Sequence, residues 1–355
     1  MLVNTKLECR GRMNNTLASP EIIDIKTVKR TWAPAVPTEV FDTYWRFAVE
    51  RQAIFFRRVE KTWGPWTQDS ILQKYKFTNA YRASDRVSQY LIREVIYKGD
   101  PAIEEVFFRI ILFKLFNKIE TWKMLLRELG TICYSKYSFK EYDQLLSQAM
   151  TTGHTIYSAA YIMPSGNSAF GYTRKHSNHL KLLEKMMKDR VYDQINKAPN
   201  MAVAFEILRS YPTIGDFLAY QLVTDLNYSW LTKFSEMEFV VPGPGASSGI
   251  KKCFKSLGGL TEPEIILRVT KRQNEEFKRI GLAFQDLGGR PLQLIDCQNL
   301  FCEVDKYSRV AHPDIAGNTG RTKIKQKFRM NSEPIDYWYP PKWGISLFEI
   351  KNYSI

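Results

Sequence analysis
Apolar residues recur at helical spacing along most of this chain. Between Thr43 and Val59, the positions Phe47, Ile54, Phe55 and Val59 fall on one face, with Arg46, Arg51, Arg57 and Arg58 between them. That is the pattern of an amphipathic helix. Leu72–Tyr75 and Val87–Tyr97 carry the same signal. Pro101 marks the start of a longer helix over 102–119, whose stripe of Val106, Phe107, Ile110, Ile111 and Phe113 is expected core. Further helices are expected at 120–130, 139–149, 177–188 and 198–209. Strand signals are few and short, Glu238–Val241 and Gln293–Ile295 being examples. Residues 1–40 are polar, hold Pro20, Pro34 and Pro37, and show no periodicity, which predicts an extended N-terminal arm. The expected fold is mostly α, a helical bundle with minor short strands.

The helical spacing is interrupted most sharply in SYPTIGDFLAYQLVTDL, residues 210–226. Phe205 and Leu208 close one helical segment, and Phe217, Leu218, Leu222 and Leu226 open another. Between them lies Pro212-Thr213-Ile214-Gly215. Proline fixes φ and glycine permits the backbone a tight hairpin needs. Thr213, Ile214 and Gly215 would then present backbone N–H groups at a helix N-terminus, where a phosphate oxygen is welcome. The pattern resembles the helix-hairpin-helix element with which DNA glycosylases hold one DNA strand. Downstream follow Glu236 and Glu238, then Gly243-Pro244-Gly245-Ala246.

Charge and composition push the reading toward a polyanion. The 355 residues carry 51 Lys+Arg against 37 Asp+Glu, a net charge of +14, with a pI near 9.4. Such a balance suits nucleic acid. In GRTKIKQKFR, residues 320–329, basic side chains alternate and would line one edge of an extended segment. The 8 Trp, 19 Tyr and 21 Phe fill the core first, and any surplus suits pockets that stack a planar base. Cysteines at 9, 133, 253, 297 and 302 have no zinc spacing, and the histidines at 154, 176, 179 and 312 form no metal cluster with carboxylates. His176 and His179 read as a polar helix face. A reducing cytoplasmic setting is expected. The longest apolar runs are short, Ile110–Phe113 being flanked by Arg109 and Lys114, so no membrane segment is expected. No metal or cofactor is expected either.

Four segments are dense in functional residue types. They are PWTQDSILQKYKFTNAYRASDR, YPTIGDFLAYQLVTDL, EFVVPGPGASSGIKKCF and DCQNLFCEVDKYSRV. Together they resemble the signature blocks of the alpha-glutamyl/putrescinyl thymine pyrophosphorylase family. Its members are similar in fold to helix-hairpin-helix DNA glycosylases. Some bacterial members resemble the Brig-type anti-phage glycosylases, which remove glucosylated hydroxymethylcytosine from phage DNA. The resemblance covers residues 41–312. It implies a glycosylase-like catalytic region there, with the helix-hairpin-helix at 203–226, the N-terminal arm at 1–40, and a basic, aromatic C-terminal segment at 313–355 packed on it.

The activity implied is a monofunctional DNA glycosylase, an N-glycosyl hydrolase of antiviral defence. It would flip and excise a hypermodified pyrimidine from double-stranded phage DNA, leaving an abasic site. Phe217 stands where bifunctional relatives carry their lysine. The acid is expected at Glu238, then Glu236, with Asp296 third or else bracing the site with Lys306 and Arg309. Glu303, Asp305, Lys306 and Arg309 read equally as helix-surface ion pairs. The base pocket is expected from Trp66, Phe77 and Tyr81 as stacking faces and Thr67, Asp69, Asn79 and Arg82 as polar readers. Thr67 could equally cap a helix. DNA contacts are expected from Arg58, Thr213, Ile214, Gly215, Gly243, Gly245, Lys251, Lys252 and Lys306. The protein is expected to act as a monomer. Two alternatives stay open: an enzyme that modifies an activated hydroxymethylpyrimidine in DNA by group transfer, and a DNA-binding module without catalysis.

Overall fold
The protein is described from a computed structural model, which covers residues 32–60, 63–159, 163–331, 333 and 335–345. The fold is mostly helical. In chain order the helices are α1 (Glu39–Glu60), α2 (Ser70–Lys74), α3 (Arg86–Tyr90), α4 (Ile103–Phe116), α5 (Ile119–Leu129), α6 (Phe139–Thr151) and α7 (Asn167–Phe170). They continue with α8 (Lys175–Lys188), α9 (Val191–Lys197), α10 (Met201–Arg209), α11 (Asp216–Leu226), α12 (Pro244–Cys253), α13 (Glu262–Lys271), α14 (Gln273–Arg279) and α15 (Leu294–Ala311). Helix α3 runs on through a π-helical turn, Leu91–Ile96.

Two groups of helices share one core. In the first, α4 is buried on nearly every face, from Glu105 to Phe116, and packs against α8, α9 and α11. A helix apolar all round has to sit at the centre. In the second, α12 lies across α15, and both pack on α1. Arg82 joins the groups. Its backbone N–H donates to Asp296 at the start of α15 (2.8 Å), while its guanidinium bonds Gln221 and Asp225 on α11.

The expected arm at 1–40 falls, for its first 31 residues, outside the described residues. The rest packs into the second group. Trp32 is fully buried against Phe41 and Phe254, and its indole N–H donates to Glu276 (2.8 Å). Strand β1 (Val36–Pro37) pairs antiparallel with β2 (Phe254–Ser256), the one sheet among the described residues. The two strand readings do not hold. Residues 238–241 are irregular, and Gln293 is the N-cap of α15. There the Asp296 carboxylate accepts the Gln293 N–H, so a capping box overrides the short apolar run.

His176 and His179 also differ from expectation. Both are buried rather than on a solvated face. His179 Nε2 donates to the Pro164 carbonyl (2.8 Å), which leaves Nδ1 to accept from the Tyr157 hydroxyl (2.9 Å). Burial lowers its pKa from 6.5 to about 4, against the Pro164 bond that works to raise it. The unfolded chain therefore takes the proton first. The His179 contribution to stability is complete above pH 6.5 and falls as pH drops through about 4. His179→Gln is expected to flatten this acid limb, removing roughly 2 kcal/mol of the stability difference between pH 8 and pH 5 as measured by urea unfolding.

Candidate functional site
Trp66 anchors an aromatic cavity of about 390 Å³, near the lower end of the roughly 300–1,000 Å³ typical of small-ligand sites. Its floor comes from α1, where Arg51, Ile54, Phe55 and Arg58 line one wall at helical spacing. The opposite wall is the loop Gly64–Thr67 and the extended run through Tyr75, Phe77 and Asn79. Phe328, Met330 and Tyr337 of the C-terminal segment close the side. No Asp or Glu lines the cavity among the described residues, whereas Arg51 and Arg58 both do. The Arg58 guanidinium lies over the Trp66 ring, 5.7 Å from its centroid.

An extended basic edge borders this cavity. Tyr75 and Lys327 form an antiparallel bridge, with Lys76 N–H donating to Gln326 and Phe328 N–H to Lys74 (both 3.1 Å). This docks residues 326–328 beside the pocket wall. Arg321, Lys323, Lys325, Lys327 and Arg329 are all exposed, while Ile324 is buried. The alternation read from the sequence is therefore an edge anchored by one isoleucine.

Of the expected pocket residues, Trp66, Thr67, Phe77 and Asn79 line the cavity. Asp69 does not. It caps α2, accepting from Ile71 and Leu72 N–H (2.8 and 3.0 Å), and accepts the Tyr307 hydroxyl (2.6 Å). The cap is therefore Asp69 rather than Thr67, whose hydroxyl accepts the Asp69 N–H. Tyr81 and Arg82 are buried elsewhere. The Tyr81 hydroxyl donates to the Arg290 carbonyl, and Arg82 is the tie between helix groups described above. Arg51, Tyr75, Phe328, Met330 and Tyr337 were not among the expected pocket residues. Tyr75 lay in one of the dense sequence blocks and Phe328 in the basic alternation of residues 320–329, but nothing in the sequence joined them to Arg51, Met330 and Tyr337.

The three expected acids have different surroundings. Glu238 is exposed. Glu236 lies 2.8 Å from Arg290 and accepts the Trp343 indole N–H (3.0 Å). Asp296 is buried, which raises its pKa to about 6 even though two backbone N–H groups work to lower it. Both Glu236 and Asp296 are thus committed to structural partners.

A tight turn joins α10 and α11, but the left-handed residue in it is Thr213 (φ +69°) and not the glycine, since Gly215 is the N-cap of α11 at φ −86°. A β-branched residue in the left-handed region is strained. Ile214 is buried. Gly243 is the N-cap of α12, where a Cβ would stand 2.7 Å from the Phe217 ring. Gly245 faces Cys302 across the α12–α15 crossing. Lys251 is exposed, but Lys252 is buried, donating to the Asp305 carbonyl (2.9 Å). Lys306 pairs with Glu303 (2.7 Å) and lies over Phe77. The α15 ion pairs are not a surface set, since Glu303 and Asp305 are both buried. No helix among the described residues is long and apolar enough to cross a membrane.

The family described as 5-hmdU DNA kinase, helical domain, matches residues 38–317. The chain belongs to this family. A 5-hmdU DNA kinase of Bacillus phage SP10 is 25% identical over 330 residues, which cover 86% of this chain and 51% of the relative. The chain thus spans about half the length of that curated relative. No solved structure matches it. These findings correct the family and the activity read from the sequence. The family is that of a DNA kinase, a transferase, and not the glycosylase-like family named from the motif blocks. The reading as a DNA glycosylase and N-glycosyl hydrolase is overturned. With it goes the need for a carboxylate facing a glycosidic carbon, which accords with the structural engagement of Glu236 and Asp296. The group-transfer alternative agrees better with the family.

Proposed function
We propose that this protein holds DNA and takes an extruded 5-hydroxymethylpyrimidine into the Trp66 cavity, presenting its hydroxymethyl oxygen as a phosphoryl acceptor. The observation that carries this reading is an aromatic cavity with two arginines, no carboxylate lining it among the described residues, and a basic edge at its side. The family and the phage relative supply the reaction class. In such a transfer the hydroxymethyl oxygen attacks the terminal phosphorus of a nucleoside triphosphate. The new O–P bond forms as the bond to the diphosphate breaks, and the hydroxyl proton passes to a base.

Extruding the base costs a few kcal/mol. Contacts to the DNA backbone would offset that cost. The hairpin N–H groups at Thr213 and Gly215, the exposed Lys251 and the edge from Arg321 to Arg329 are the groups this reading gives to phosphates, the Ile214 N–H being taken by the Tyr211 carbonyl (3.2 Å). Trp66 and Phe77 would stack on the ring. The reading gives this chain the acceptor side of the transfer.

The test is fluorescence anisotropy of the full chain on short duplexes with one 5-hydroxymethyluracil or one thymine at the same position. Tighter binding of the hydroxymethylated duplex is expected. Trp66→Ala should erase that preference, weakening binding by about tenfold or more, because a stacked base is worth roughly 1–3 kcal/mol. Equal affinity for the two duplexes would sink the reading.

A further inference from the structure
We propose that Phe328 and Met330 form a wedge that enters a DNA duplex where a base leaves it, holding the stack open while that base sits in the Trp66 cavity. The inference rests on the reading above that an extruded base occupies the cavity. It assigns the positioning side chains that keep the base extruded.

Both residues stand at the lip of the cavity. They line it, yet Phe328 is 40% and Met330 51% exposed. Large apolar side chains scattered singly over a surface are ordinary, but two at one cavity mouth mark a contact surface. Their neighbours indicate the partner. In an extended chain alternate residues point to opposite sides. Lys325, Lys327 and Arg329 are exposed and are not part of the cavity lining, whereas Phe328 and Met330 are. The segment thus carries a cationic row and an apolar row. Ile324, four residues before Phe328, is buried. The apolar row is therefore the one turned toward the protein, and at 328 and 330 it runs out over the open cavity. A row of cations beside an apolar lip complements a phosphate backbone with its bases alongside.

A wedge has to be stiff at its base, and this one is held on both sides. Lys76 N–H donates to the Gln326 carbonyl and Phe328 N–H to the Lys74 carbonyl (both 3.1 Å). Beyond Met330, Arg58 Nη2 donates to the Asn331 carbonyl (3.2 Å). The main chain is fixed while the two side chains stay exposed.

A base that leaves a duplex takes its stacking with it and opens a gap between its neighbours. Water and charge are poor tenants of that gap, because the faces on either side are apolar. Phenylalanine and methionine are among the side chains that DNA-bending proteins insert between base steps. Placed in the gap, they restore contact to the neighbouring bases and block the return of the extruded one. Lys327 and Arg329, on the alternate positions, would meet the phosphates on either side.

The experiment measures anisotropy of the full chain on oligonucleotides with one 5-hydroxymethyluracil or one thymine, each as a duplex and as a single strand. A 2-aminopurine next to that position reports unstacking by a rise in its fluorescence. On the hydroxymethylated duplex, Phe328→Ala and Met330→Ala are each expected to bind about tenfold more weakly than wild type, the scale of one lost base–side-chain stack, and to lose the fluorescence rise. On the single strand, which has no stack to hold open, both should bind as wild type does. Equal losses on duplex and single strand would mean that the two residues only wall the cavity, and would overturn the wedge. So would unchanged duplex binding, or a fluorescence rise that persists in both variants, which decides by itself if single strands bind too weakly to compare. Alanine variants that instead split a dimer, seen by light scattering, would give the lip to a second copy of the chain and overturn it too. Wild-type protein that does not distinguish 5-hydroxymethyluracil from thymine in either form sinks the cavity reading itself. Met330→Gln keeps the length of the side chain and removes its apolar end, and decides should the alanine variants not fold.

Discussion

Asp225→Asn is expected to cost about 3–5 kcal/mol of stability, the range for breaking a buried ion pair from one side. Asp225 is fully buried on α11 between two cations. Arg82 Nη1 lies 2.8 Å from one carboxylate oxygen and Lys114 Nζ 3.0 Å from the other. Burial alone would raise the Asp225 pKa, but Arg82 and Lys114 overcome it and hold the carboxyl below its usual value. The asparagine keeps the shape and removes the charge. Two desolvated cations then share one cavity, and an amide donor points at one of them. The loss should appear as a lower urea midpoint at unchanged slope. The exposed Arg209–Glu206 pair on α10 is the control, since removing it should leave the midpoint where it is. If Asp225→Asn behaves like that control, the tie between the helix groups is not what holds them.

Gly249→Ala is the second large effect. At the α12–α15 crossing, a Cβ built on Gly249 would fall on the Phe301 carbonyl oxygen. That atom belongs to a helix backbone and cannot swing aside. Alanine gains roughly 1 kcal/mol over glycine in helix propensity, yet overpacking of this kind costs about 1–3 kcal/mol and at times more. Because the obstruction is main chain, a net loss of about 2 kcal/mol or more is expected, with the helices pushed apart. Gly215→Ala gives the contrast. Its Cβ would meet nothing within 4 Å, its φ is −86°, and its effect should stay within about 0.5 kcal/mol. Thermal or urea midpoints of the two variants, measured side by side, check both statements. A neutral Gly249→Ala would mean that α12 and α15 do not approach this closely.

Much of the helical plan was legible. Phe47, Ile54, Phe55 and the stripe from Val106 to Phe113 lie at the spacing of a helix, and each is buried or lies against the core where that spacing put it. The break in helical spacing at Pro212–Gly215 placed the hairpin after Leu208 for a local reason, although the left-handed residue is Thr213 and not Gly215. Trp66, Thr67, Phe77 and Asn79 could be grouped because they lie close in the chain. Tyr81 and Arg82, only two and three positions past Asn79, face another way. Their neighbours are Arg290 and Asp225, far away in sequence, and no local pattern encodes that.

The activity was misread for a related reason. A hairpin followed by glutamates suggested an acid poised at a glycosidic bond. Whether a carboxylate is poised or engaged depends on its partners, and for Glu236 these are Arg290 and Trp343. Lys252 and Asp305 gave the same lesson on α12 and α15, where a residue read as a DNA contact and one read as part of a surface ion pair are buried against one another.

What the sequence determined by itself was local. Helical periodicity, the hairpin, the basic alternation from Arg321 to Arg329 and the net charge follow from neighbours along the chain and from backbone preference. What only the tertiary structure decided was which of these elements meet. Arg51 came to line the Trp66 cavity because α1 passes Thr78 and Asn79 and the C-terminal segment closes its side. The free energy of that meeting comes from burying side chains distant in sequence, and a polar group acquires a function only when the fold settles which of its hydrogen bonds are left open.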